Sequence, residues 1–96
     1  MNKYELYQEI RSYIETTYGA YSLENIGNQR KFSIGWDYRV ANEIHTKLLN
    51  DFGLIKLLCH RGKAIDYNHD NGLHVSIYLD ETQAPARYYV QFGYLF

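Results

Sequence analysis

The hydrophobic period of this chain changes at Gly53, and that change limits its fold more than any other feature. Before Gly53, Val40, Ile44, Leu48 and Phe52 recur every four residues with Ala41 and Leu49 beside them, the stripe of an amphipathic helix. After it, Leu73, Val75, Ile77 and Leu79 alternate with His74, Ser76, Tyr78 and Asp80, which is the signature of a strand with one buried face. Tyr88, Val90, Phe92, Tyr94 and Phe96 alternate in the same way. A chain built of helix stripes followed by half-buried strands must lay its helices on the apolar face of an antiparallel sheet.

The remaining elements follow from local chemistry. Asn2 and Glu5 have capping-box spacing, and Leu6, Ile10, Tyr13, Ile14 and Thr17 fall at helical intervals up to Gly19, so the first helix covers residues 3–18. Its other side (Glu5, Gln8, Glu9, Ser12, Glu15, Thr16) reads as a solvated face. Tyr21–Ile26 and Gln29–Trp36 flank Gly27-Asn28, a two-residue hairpin signal, with Phe32, Ile34 and Trp36 on one face. Asp37 caps a second helix over 38–52, with Glu43 and Lys47 in the favourable i,i+4 order and Gly53 as its stop. Four strands follow at 54–60, 64–69, 73–80 and 86–96, and the single proline, Pro85, lies between the last two. The expected fold is α+β, in the order α-ββ-α-ββββ, with two helices on one face of a mainly antiparallel sheet. At 96 residues it makes one domain, spanning 1–96.

Parity sets the register. A two-residue turn at Asn71-Gly72 would put Asp66, Asn68 and Asp70 opposite Ile77, Val75 and Leu73 and so bury carboxylates in the core. A three-residue loop, Asp70-Asn71-Gly72, with Gly72 in the left-handed region, places Ile65 opposite Ile77 and Tyr67 opposite Val75. By the same logic a loop at Arg61-Gly62-Lys63 sets Cys59 beside Ile65 and Leu57 beside Tyr67, with Ile55 on the same core face.

Charge and cysteine content exclude several functions. Net charge is −1, and the two halves carry six basic against six acidic and four against five groups, so no basic excess is available to release counterions from a nucleic-acid backbone. Local basic groups at Arg30, Lys31, Arg39, Arg61 and Lys63 are the only footing for such a partner. One cysteine makes no internal disulfide, the first residues lack the apolar stretch of a secretory signal, and no apolar run reaches the roughly 18 residues of a membrane span. A cytoplasmic location and no membrane partner are the expectation.

Chemical motifs fail on geometry. Cys59 and His60 are neighbours on a strand, point to opposite faces, and cannot form a dyad; an inert core thiol is expected. Asp66 to Gly72 resembles the start of a calcium loop, but Gly72 stands seventh instead of sixth and Ile77 occupies the place of the bidentate glutamate. His60 and His74 share a face two strands apart, His69 points away and His45 lies on the second helix, so no metal site converges and no cofactor is expected. No phosphate-binding, dinucleotide or nucleophile-elbow motif occurs.

What remains is a surface. Eleven tyrosines outnumber ten leucines, and tyrosine grips other molecules at low entropic cost. On the sheet face away from the helices the register gathers His60, Asp66, Asn68, His74, Ser76 and Tyr78, joined by Tyr89 and Gln91. The expected function is a non-catalytic protein-binding module, of the kind typified by small stand-alone inhibitors and adaptors of phages and mobile elements. A single-stranded nucleic-acid binder and a small-molecule enzyme using the His and Asp of that face are the alternatives. The partner expected is a protein, with nucleic acid or a second copy of the chain as the other options.

Overall fold

Asn2 and Glu5 exchange both bonds of the capping box: the Asn2 side chain accepts from the Glu5 amide at 2.9 Å, and the Glu5 carboxylate accepts from the Asn2 amide at 3.1 Å. They open α1, Lys3–Tyr18, which stops at Gly19 in the left-handed region. The computed structural model describes residues 1–19, 21–26, 29–57 and 63–96, with the backbone alone over 21–26 and at 29. The other elements are β1 (Tyr21–Ile26), β2 (Gln29–Gly35), α2 (Tyr38–Asn50), β3 (Ile55–Lys56), β4 (Ala64–Asn68), β5 (Leu73–Asp80) and β6 (Arg87–Tyr94). This is the α-ββ-α-ββββ order read from the sequence.

The six strands form one antiparallel sheet in the order β1-β2-β6-β5-β4-β3. β6 therefore closes back between the first hairpin and β5, a non-local pairing that alternation alone does not specify. Ile65 opposes Ile77, Tyr67 opposes Val75, Val75 opposes Phe92 and Val90 opposes Phe32, so one face carries every large apolar strand residue of the core. Both helices pack there. Tyr7 of α1 meets Phe92 edge-on at 4.9 Å, and Tyr38 and His45 of α2 lie against Tyr88 and Tyr67. The helices are joined by polar aromatic contacts: the Tyr18 hydroxyl donates to Glu43 at 2.6 Å, lies 3.0 Å from the Tyr13 hydroxyl, and the Lys47 ammonium sits 5.1 Å from the Tyr13 ring. Burial, and the Glu43 carboxylate after it, push the Tyr18 phenol well above its ordinary value.

The β4–β5 turn is the three-residue loop that parity requires. Gly72 has φ +100°, its amide donates to His69 O at 3.0 Å, and His69 N donates to Leu73 O at 2.9 Å. Asn71 accepts from the Leu73 amide at 3.0 Å and fixes the return.

Several expectations are corrected. Ile55 is 61% exposed, and Lys56 rather than Leu57 opposes Tyr67. The cause is the end of α2: Leu54 N donates to Leu48 O at 3.0 Å, which pins Leu54 into the core and starts the alternation one residue early. Among the described residues β3 covers Ile55–Lys56 of the expected 54–60, of which 58–60 lie outside the described residues; Leu57 N still donates to Asp66 O at 2.9 Å. Trp36 leaves the face of Phe32 and Ile34 because the register shifts between Ser33 and Gly35, and Gly35 takes φ +83°. Phe96 is 73% exposed because β5 begins at Leu73, opposite Tyr94, and offers it no partner. On α1, Thr17 is exposed, whereas Tyr7, absent from the sequence stripe, is buried. Lys47 pairs with Asp51 at 2.6 Å instead of Glu43, which takes Tyr18. The Gly27-Asn28 turn and the expected core position of Cys59 lie outside the described residues.

Candidate functional site

With both helices on one side, the other face of the sheet is built from the alternate strand positions: Asp66 and Asn68 on β4, His74, Ser76, Tyr78 and Asp80 on β5, Tyr89 and Gln91 on β6, Lys31 and Ser33 on β2. Seven of the eight residues singled out for this face are brought together by the register; His60 lies outside the described residues. A cavity of about 390 Å³ opens on this face, lined by Lys63, Ala64, His74, Ser76, Tyr78, Leu79, Gln91, Phe92 and Gly93. Gly93 opposes His74 across β5 and β6.

The face is less open than the sequence implied. Asp66 is 5% exposed, Ser76 6% and Tyr89 3%, so three of the expected contact residues form its floor. They are held by polar bonds. The Ser76 hydroxyl donates to Asp66 Oδ1; His74 Nε2 lies 3.3 Å from Ser76 Oγ and 3.5 Å from Asp66 Oδ1; His74 Nδ1 donates to Asn68 Oδ1 at 2.6 Å. Burying a carboxylate this deeply requires such partners. The seven-residue stretch with alternating oxygen groups is thus a hairpin whose Asp66 and Asn68 turn to the sheet face.

The same cluster does not have the arrangement of a serine-nucleophile triad. A nucleophilic serine must give its proton to the imidazole, with the carboxylate behind the far ring nitrogen. Here Ser76 gives its proton to Asp66, the carboxylate stands on the Nε2 side, and an asparagine occupies the Nδ1 side. The cluster is a hydrogen-bonded brace under the face. Among the described residues no group of three or more His, Cys, Asp or Glu is placed to hold a metal ion.

An aromatic and cationic ridge is built on the Tyr89 part of this floor. Tyr78 and Tyr89, cross-strand partners, stack at 5.5 Å with 27° between planes. The Lys31 ammonium is 4.5 Å from the Tyr89 ring centre and 5.6 Å from that of Tyr78. Gln83, from the connection after β5, donates to the Tyr89 hydroxyl and at 3.2 Å to Asp80. Thr82 and Gln83 hold the Asp80 carboxyl below the usual carboxylate range. Lys31 and Gln83 carried no pattern that marked them for this ridge; cross-strand pairing brings Lys31 there.

The basic residues do not form one patch. Lys31 is on this ridge, whereas Arg30 opposes Phe92 on the helix side. Arg39 sits at the start of α2 and pairs with Asp37 at 3.1 Å, and Lys63 pairs with Glu81 at 2.8 Å. Arg61 lies outside the described residues. No helix among the described residues is long and apolar enough to cross a membrane. Compared with known proteins, the chain matches no family model, no curated protein and no solved structure at a significant level.

Proposed function

We propose that the chain is a non-catalytic protein-binding module, an inhibitor or adaptor, that takes its partner on the sheet face opposite the helices. The observation that carries this reading is the Tyr78–Tyr89–Lys31 ridge beside a cavity of about 390 Å³, on a face that neither helix covers. The Asp66–Ser76–His74–Asn68 brace supports it, because a surface ordered before binding loses less entropy when it binds. Tyr78, half-buried and presented at the cavity edge, is the anchor. The single cysteine is consistent with a cytoplasmic setting, which belongs to the same proposal.

A second reading has its own observation. An ammonium over two rings also suits a nucleotide, with the base on a ring and the phosphate on Lys31. The near-zero net charge and the scatter of the other basic groups weigh against it.

The test is affinity capture by the tagged chain from the lysate of its source, with and without nuclease, beside Tyr78→Ala. A partner protein retained after nuclease and lost with Tyr78→Ala supports the module. Capture that disappears with nuclease assigns the face to nucleic acid. Capture that Tyr78→Ala leaves intact moves the binding surface elsewhere.

A further inference from the structure

On the opposite side of the sheet, between α2 and the ends of β3 to β6, lies a second cavity of about 460 Å³. It exists because α2 presents a small residue, Ala41, to the sheet near its start, while Ile44 and Leu48 fill the space one and two turns later. Its size falls in the roughly 300–1,000 Å³ range of small-molecule sites. Ile65, Ile77 and Leu79 make an apolar floor, and the Tyr38 and Tyr88 rings, 6.4 Å apart and inclined at 57°, make one wall.

The polar groups of this cavity share one character. Among the described residues that line it none is acidic, and two are lysines. Lys63 is engaged by Glu81 at 2.8 Å, but Lys56 forms no ion pair among the described residues. His45 Nδ1 is 2.5 Å from the hydroxyl of Tyr67, which is fully buried. A buried phenol must spend its proton on an acceptor, so Tyr67 donates to Nδ1 and the neutral ring carries its own proton on Nε2. Burial, followed by the nearby Lys56 charge, keeps the ring neutral by holding His45 below its ordinary value. One ammonium with no ion pair among the described residues and one N–H donor, beside an apolar slot with aromatic walls, match a single negative charge on an apolar body.

We propose that this cavity binds a small monocarboxylate with an aromatic or branched apolar body, its carboxylate held by Lys56 and His45 Nε2–H and its body lying between Tyr38, Tyr88 and the Ile65–Ile77 floor. A phosphate would need more positive charge than Lys56 supplies. The site lies across the sheet from the Tyr78 ridge and shares no side chain with that ridge, although Lys63 and Leu79 also line the cavity on the outer face.

The experiment is an NMR titration of the whole chain with 3-phenylpropionate and, separately, its neutral amide. The acid should give saturable shifts at Ala41, His45, Tyr67 and Ile77 with Kd below about 1 mM, and the amide should bind about tenfold more weakly. Lys56→Gln, at an exposed edge position, should bring the acid down to the affinity of the amide and leave the amide unchanged. Lys63→Gln should change the acid less than about twofold, because Glu81 already holds that ammonium. Absence of saturable shifts up to about 10 mM, equal binding of acid and amide, or equal losses from Lys56→Gln and Lys63→Gln would each overturn the proposal.

Discussion

Replacing Gly72 tests the β4–β5 register on which the whole sheet face depends. Gly72 holds φ +100°, and a β-carbon there would meet the Phe96 ring at 2.9–3.1 Å. Two costs are therefore superposed. Left-handed backbone costs an L-residue about 1–2 kcal/mol, offset by about 0.4–1 kcal/mol because alanine restricts the unfolded chain. The ring contact is cheaper, since Phe96 is largely exposed and can swing outward. Gly72→Ala should lose about 1 kcal/mol, seen as a fall of about 4–8 °C in Tm for a domain of this size. Gly72→Asn should lose about half as much, because asparagine visits this region readily, and Gly72→Val about 2 kcal/mol or more. Urea denaturation followed by circular dichroism measures all three, each repeated in a Phe96→Ala background. The penalties should persist there. If they vanish with Phe96, a steric collision and not the backbone conformation sets them; if Val and Asn cost the same, the three-residue turn is wrong.

Tyr78→Ala should shift the unfolding midpoint little while weakening partner binding by about 1–2 kcal/mol or more, whereas Tyr67→Ala, at a fully buried position, should cost about 3–5 kcal/mol of stability; paired denaturation and binding titrations separate them. His45 is held below its ordinary 6.5, so the unfolded chain takes up the proton first. Its contribution to stability is full above pH 6.5, declines as the pH falls toward the folded-state value, and then levels off; urea midpoints across that window should show the decline, and His45→Gln should remove that share of it. Asn2→Ala breaks the capping box and should cost about 1 kcal/mol, checked by thermal melting.

Sequence periodicity was sufficient for both helices, their N-caps and the strand parity of β4 to β6, but α2 ends at Asn50 with Asp51 as its C-cap, two residues short of the expected 38–52. These are local properties: Asn2 and Glu5 meet within one turn, Gly72 closes its own hairpin, and a carboxylate at Asp66 cannot face Ile77 without a large desolvation cost. The membership of the outer face followed from that parity, residue by residue. Its character did not. That Asp66, Ser76 and Tyr89 are a buried floor rather than a contact surface depends on which strands neighbour each other, and β6 pairs with β2 across more than fifty residues of chain. The same non-local pairing sets Lys31 over Tyr78 and Tyr89, whereas the separation of Arg30 from Lys31 is strand alternation. At the edges, tertiary contacts reversed the local pattern. Leu54, anchored on Leu48, turned Ile55 outward, and a β5 that starts at Leu73 left Phe96 without a cross-strand partner. The cavity beneath α2 was invisible in the sequence because a void is the difference between two packed surfaces: Ala41 and Lys56 are unremarkable until the helix and the sheet edge meet.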